Sequence, residues 1–430
     1  MNPATRTKLI VLMFLQFFTW GVWYVPMYPY LSGTLNFSSE NIGLAYASTG
    51  IAAMISPFIV GMIADRFFAT QKVFGVLHLM GGVFLLVAAG SETWGMFFTF
   101  LLLHLVCYMP TLALANSLSF RNMSDPQKEF PAIRTLGTIG WIVSGVVIGS
   151  SFFVDGEYQL KWPEFLGGTK SSEQWQAISS THYPFIIGGC ASILLGLFSF
   201  ILPNTPPQLK GKDVSIGEVL GLKALRLMKD PSFAIFIVCS FLVCIPLSFY
   251  FQSANGFLKE MGVANSEGVM TLGQVSEIFF LLAVPFFFRK LGVKNMLMIG
   301  MLFWVLRYVL FANASAESHA MLYLGVIFHG ICYDFFFVTG QLYVDKRAPE
   351  DVRSSAQGFI AFVTLGAGMF IGGLLNGWWN EKQKTAEGVM DWSSVWYFPA
   401  IMAGCVLVIF FLTFRDKQSD EQGDSNEQIT

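Results

Sequence analysis

The sequence predicts an all-α membrane protein with twelve transmembrane helices in two six-helix halves. Three observations predict it: an apolar composition, twelve apolar runs of bilayer-crossing length, and a one-sided distribution of Lys and Arg. The 430 residues are 54% hydrophobic, 16% aromatic and 13% charged, with a mean hydropathy of +0.57. A soluble domain carries roughly 25% charged residues, and a water-soluble fold cannot hide this much apolar surface. The formal net charge of -2 matters little as a sum, because a membrane protein encodes its orientation in where Lys and Arg fall; nucleic acid is not an expected partner.

A helix needs roughly 20 apolar residues to cross the hydrocarbon. Runs of that kind fall near 9–31, 42–64, 73–91, 95–119, 131–154 and 183–202. The first follows Arg6 and Lys8 but has no small-residue cleavage site, so it reads as a retained helix rather than a secretory signal. A second set falls near 233–258, 269–288, 295–313, 320–344, 355–378 and 395–414. The expected organisation is therefore an N-terminal half at 1–202, a linker at 203–232, a C-terminal half at 233–414 and a polar, disordered tail at 415–430. The linker holds Pro203, Pro206 and Pro207 with Lys210, Lys212, Lys223, Arg226 and Lys229. It reads as a basic connector with a short amphipathic helix.

Charge placement tests this parse, because cytoplasmic loops collect Lys and Arg. With both termini inside, nineteen of the 26 fall in cytoplasmic segments and five, at Lys161, Lys170, Lys259, Lys382 and Lys384, fall outside. Arg134 and Arg307 remain within helices. A wrong helix count would scramble that separation. The arrangement matches the parallel-repeat plan of membrane carriers, whose ligand sits near the midplane between halves. The second cytoplasmic boundary carries Gly61-Met62-Ile63-Ala64-Asp65-Arg66, echoed weakly by Arg289-Lys290-Leu291-Gly292-Val293-Lys294. Alone, such a turn reads as a solvated loop; at this boundary it favours a carrier.

Ionised groups inside a bilayer cost roughly 2.5–3.5 kcal/mol each on insertion scales, so they mark cavities or buried pairs. Glu277 lies mid-helix, three residues after Gln274 and on the same face. It reads either as a ligand-facing carboxylate or as an interhelical hydrogen bond. Asp334, within Tyr333-Asp334-Phe335-Phe336, is the first choice for proton coupling, since burial lets a carboxyl exchange a proton. Its alternative is a salt bridge to Arg307, which otherwise reads as a structural residue. Arg134 shares a face with Thr138 and suits orienting a ligand with its fixed donors, or it ends the preceding loop.

Gln16, Thr19, Asn116, Ser248, Gln252 and Asn255 are polar groups expected mostly to bond between helices. Trp20, Trp23, Trp141, Phe251 and Phe335 offer faces for a planar ligand, although among 44 Phe packing is the commoner use. His78, His104 and His329 have no second ligand at metal spacing and read as helix-packing residues. The six cysteines, at 107, 190, 239, 244, 332 and 405, read as small buried hydrophobes. No phosphate-binding Gly-x-x-x-x-Gly-Lys loop occurs, which argues against ATP-driven pumping. No cofactor or metal is called for, and nothing points to an enzyme.

Several separated stretches carry a resemblance: Gln16-Phe17-Phe18-Thr19-Trp20-Gly21-Val22-Trp23, Tyr108-Met109-Pro110-Thr111-Leu112, 130–141, Gln274-Val275-Ser276-Glu277 with Pro285-Phe286-Phe287, Tyr333-Asp334-Phe335-Phe336 and Arg353-Ser354-Ser355-Ala356-Gln357-Gly358. In this order they resemble the nucleoside:proton symporter family of the major facilitator superfamily, across nearly the whole chain. The resemblance implies proton-coupled import of nucleosides by a multi-pass protein of the cytoplasmic (inner) membrane, and a monomer suffices for alternating access. It also implies that Arg134, Thr138, Gln274, Glu277, Phe335 and Asp334 bind substrate, with Asp334 and Glu277 coupling the proton. The seventh helix departs from it, with Ser248 and Phe251 where characterised members supply amides. There the chain looks closest to the family's less characterised branch. The alternative is a proton-linked carrier of a sugar or other small neutral solute on the same fold.

Overall fold

The computed structural model describes residues 1–162, 175–207, 222–263, 265–317, 319–349 and 352–415, leaving aside the side chains at 57–59, 61, 62, 65, 66, 126, 127, 222, 223 and 354. Asp65 and Arg66, residues 208–221 of the expected linker and the expected tail from 416 therefore lie outside what is described.

Helices dominate. They are α1 (Pro3–Tyr24), α2 (Ser39–Arg66), α3 (Thr70–Ala89), α4 (Trp94–Arg121), α5 (Pro126–Gly149), α6 (Tyr183–Ser199), α7 (Pro231–Glu260), α8 (Ser266–Ala312), α9 (Ala320–Arg347), α10 (Ser355–Lys382) and α11 (Trp392–Thr413). Among the described residues nine helical stretches are long and apolar enough to cross a membrane, and α6 is a shorter apolar helix. Polar residues start several of them in the expected way. Asn2 accepts from the Ala4 N–H at 3.0 Å with Pro3 as first helical residue, Ser38 accepts from Asn41 at 3.2 Å, and Asp391 accepts from Ser394 at 3.1 Å. Within α8 only Gly292, at φ 69°, leaves helical geometry, so the two expected runs join without an extended loop.

Two expectations need correction. The run at 131–154 is helical only to Gly149; Ser151–Val154 instead forms β1, paired antiparallel with β2 (Glu157–Leu160) and with β3 (Gln176–Ala177). The hairpin turns on Asp155 and Gly156, both at positive φ, a two-residue loop whose twist suits paired strands. The cysteines also divide: Cys190 and Cys405 are exposed and the other four buried.

Contacts group the chain into two compact units. The first takes 1–214, 248–272 and 365–390. Its interior includes a polar network across four helices: the His78 ring nitrogens sit 2.9 Å from Gln16 Oε1 and 3.0 Å from Ser192 Oγ, and Gln16 Nε2 donates to Thr111 Oγ1 at 2.8 Å. His104 Nδ1 lies 2.8 Å from the Gly81 carbonyl. Both histidines are thus helix-packing residues, and Trp23 is core, fully buried with its ring against Phe185 and His104. The second unit takes 215–247, 273–364 and 391–430, with Phe335, Val284 and Met296 at the centre of one apolar cluster.

Candidate functional site

The candidate residues divide between the units, Arg134 and Thr138 in the first and Gln274, Glu277, Asp334 and Phe335 in the second.

In the first unit α5 lies against α1 because glycines face it. A Cβ at Gly137 would come within 2.6 Å of the Phe17 ring, and one at Gly140 would overlap the Phe14 carbonyl. This closeness lays the Arg134 guanidinium over the Phe17 ring, 4.1 Å from its centroid, a cation–π arrangement that leaves the planar donors directional. Arg134 is half-buried, and its charge acts on the Tyr108 hydroxyl. Thr138 follows one turn on, and one turn further Trp141 meets Trp20 edge-on at 5.4 Å. Trp20 also contacts Tyr24 at 5.5 Å and Tyr108 at 5.6 Å, while Tyr24 reaches Phe251 at 6.4 Å. Sequence reasoning named Trp20, Trp141 and Phe251 as ring faces and Tyr108 within a stretch that carries the resemblance, but missed Tyr24, although Trp20 and Tyr24 stand at the i,i+4 spacing that pairs side chains on a helix.

In the second unit one exposed apolar stripe of α8 runs through Val275, Phe279, Leu282 and Phe286. Glu277, Phe280 and Val284 therefore occupy the opposite, inward face. Phe280 and Phe287 pack on Phe335 of α9 with centroids at 6.1 and 5.3 Å. One turn away α8 and α9 touch backbone to backbone: a Cβ at Gly330 would lie 2.6 Å from the Glu277 nitrogen. Ser276 Oγ clasps the contact, donating to the Ile327 carbonyl at 2.7 Å and accepting from the Gly330 N–H at 2.9 Å.

Asp334 stands one turn beyond Gly330, at the start of a π-helical segment, Asp334–Val338. Such insertions recur at functional sites because they re-aim side chains. Asp334 is 1% exposed, its Oδ2 has no hydrogen-bond partner, and the Glu277 charge acts on it. Among the described residues Asp334 has no ion pair, so the expected alternative of a bridge to Arg307 does not form. The fully buried Arg307 bonds instead to His329 Nδ1 at 3.1 Å. Gln274 and Glu277 are both half-buried.

A second buried carboxylate escaped the sequence reading. Glu267 Oε1 lies 3.1 Å from Lys259 Nζ and accepts from Asn255 Nδ2 at 3.0 Å. Asn255 also donates to the Val25 carbonyl at 2.9 Å, and Lys259 to Ser180 Oγ at 3.3 Å. Lys259, expected in an outside loop, is half-buried in the last turn of α7. The polar Asn255 on the seventh helix was the available signal.

The profile for the nucleoside H+ symporter family matches residues 3–419. Among curated proteins the chain is 43% identical to YegT of Escherichia coli (strain K12), covering 97% of this chain and 95% of that one. It is 32% identical to the nucleoside permease NupG of the same organism, covering 94% of each. The higher identity with YegT agrees with the branch indicated by Ser248 and Phe251. Among solved structures an aspartate-to-alanine mutant of the nucleoside transporter NupG superposes with a TM-score of 0.85 at 31% identity, over 96% of this chain and all of that one. The POT family transporter PepTSo, at 16% identity over 96% of this chain and 98% of that one, superposes with a TM-score of 0.70 and so shares the fold. With a profile spanning nearly its whole length and relatives above 30% identity end to end, this multi-pass helical chain belongs to the nucleoside H+ symporter family, a family of transporters and not of enzymes.

Proposed function

We propose that the chain imports nucleosides across the cytoplasmic membrane, driven by the inward proton gradient, as a monomer with twelve crossings, two six-helix halves and both termini in the cytoplasm. The one observation that carries the coupling is the buried, unpaired Asp334 beside Glu277. A carboxyl held this way trades its proton for charge at high energetic stakes, which is what a coupling group needs. A proton arriving from outside neutralises Asp334 or Glu277. The nucleoside then bonds to Gln274, Glu277 and Arg134 beside Thr138, with Phe335 as an apolar face for the base, and alternating access delivers both to the cytoplasm. The twelve crossings are supported by counting α8 as two helices joined at Gly292, and the orientation by the placement of Lys and Arg.

One charge moving through 100 mV supplies about 2.3 kcal/mol, or about fifty-fold accumulation at about 1.4 kcal/mol per tenfold. The test is uptake of radiolabelled uridine and adenosine into cells lacking their own nucleoside carriers. Accumulation that a protonophore abolishes is the expected result. A correctly inserted protein that moves neither nucleoside overturns the reading.

A further inference from the structure

The C-terminal half of α7 meets the segment that follows α1 along one stripe. Asn255 donates to the Val25 carbonyl at 2.9 Å, and Gly256 lies so close to the Tyr28 ring that a Cβ would overlap it. Gln252 is three and four residues before these, so it continues the stripe by one turn. It is 1% exposed, and neither Oε1 nor Nε2 has a hydrogen-bond partner among the described residues. Its polar neighbours are satisfied: Ser253 bonds with Asn376 and Asn380, and Asn255 with Val25 and Glu267.

A carboxamide brings two donors and an acceptor, and native interiors rarely leave such a group wholly unmatched. A transporter has a natural partner to supply, one that arrives and leaves. The preceding residue, Phe251, stands 6.4 Å from Tyr24, which stands 6.4 Å from Trp141. At adjacent positions α7 thus carries an aromatic ring and an amide; aromatic rings stack bases, and a Gln amide pairs with a base edge, as it does with adenine.

We propose that Gln252 reads the nucleobase, its amide pairing with the donor–acceptor edge of the base. Gln252 thereby supplies, one position along, an amide on the helix where Ser248 and Phe251 provide none. The base edge is favoured over ribose hydroxyls because both ends of the amide are unmatched, and a base edge presents an acceptor and a donor together.

This inference rests on the nucleoside reading above, so the experiment begins with the unaltered protein in proteoliposomes under a proton gradient. The probes are uridine against 3-methyluridine and adenosine against N6,N6-dimethyladenosine, whose methyl groups block the edge. The expected result is a KM about tenfold lower for the unblocked nucleoside. In Gln252→Leu that KM rises about tenfold, as loss of one or two hydrogen bonds gives. The maximal rate is kept and the blocked analogue is unaffected, so discrimination disappears. A purely structural role would lower transport of both probes together. A variant that keeps the original ratio overturns the proposal, and so does an unaltered protein that does not discriminate. Where Gln252→Leu folds poorly, the near-isosteric Gln252→Met carries the comparison. Failure of the unaltered protein to move either nucleoside overturns this proposal and the nucleoside reading together, and is recognised before any variant is made.

Discussion

Two buried carboxylates show how differently one chemical group is held in this chain. Glu267, 1% exposed, has a lysine at 3.1 Å and an asparagine at 3.0 Å, and through them it ties α7 and the start of α8 to the Val25 carbonyl and to Ser180. Asp334, equally buried, has no ion pair among the described residues, an unmatched Oδ2, and a second carboxyl acting on it. A charge that is paired and hydrogen-bonded on burial serves as a fastening, and removing its partner is costly. An unpaired carboxyl in the same setting contributes no such fastening, which is why Asp334 is the group proposed above to carry the proton.

The comparison breaks most visibly at Lys259. Lys259→Met strands the Glu267 carboxylate and is expected to destabilise the protein by about 3 kcal/mol, the low end for breaking a buried pair. The lower figure reflects the 18% exposure that Lys259 keeps. Adding Glu267→Gln restores most of the loss in thermal unfolding in detergent, because the pair is then removed as a unit. Equal melting temperatures for Lys259→Met and the unaltered protein would show that Glu267 is not fastened as described.

At the other carboxylate the sensitive position is the helix contact rather than a charge partner. Gly330→Leu drives a side chain into the Ser276–Glu277 backbone and is expected to cost about 1–3 kcal/mol through overpacking, with transport lost as Glu277 is displaced from Asp334. Gly358→Ala, where a Cβ meets nothing within 4 Å, is expected to leave both unchanged. Similar behaviour of the two variants would refute the close contact.

The smallest effect belongs to a third carboxylate, outside the membrane. Asp230 caps the start of α7 through the Ser232 N–H at 2.9 Å and meets Arg347 Nη2 at 2.5 Å. Partial burial pushes its carboxyl up, but the Arg347 guanidinium and the Ser232 N–H outweigh that and hold it below the ordinary aspartate range. A group depressed on folding contributes stability above its unfolded pKa, about 3.9 for Asp, and loses it as pH falls through the lower folded value. Asp230→Asn is therefore expected to cost under about 1 kcal/mol at pH 7, as a largely solvated pair does. The difference from the unaltered protein should shrink as pH falls through the depressed folded-state value and vanish below it, where neither state keeps the charge. An unchanged difference at low pH would contradict the ion pair.

The membrane-crossing elements were legible in the sequence because their cause, enough apolar length to cross hydrocarbon, is written in composition. Asp334 and Glu277 drew notice for the complementary reason, that a carboxylate within such a run must be accounted for. Glu267 was not, because two residues into a helix it reads like an ordinary solvated acid of a first turn, and only its meeting with Lys259 across a turn reveals burial. The β1–β2 hairpin hid inside a segment read as helix end and loop, although Asp155-Gly156 is a hairpin turn signal. The π segment at Asp334 has no compositional signature, since it is a shift in backbone hydrogen bonding. Gln252 was noticed as polar and expected to bond between helices; its lack of a partner appears only when the neighbours are in place.

The most direct test of the central claim, that Asp334 takes up and releases the transported proton, is nucleoside-driven proton movement in proteoliposomes, comparing the unaltered protein with Asp334→Asn. Uridine or adenosine entry is expected to alkalinise the outside medium with the unaltered protein. With Asp334→Asn the proton flux is lost while exchange of labelled for unlabelled nucleoside continues. Proton flux that persists in Asp334→Asn at the original ratio to nucleoside would contradict it.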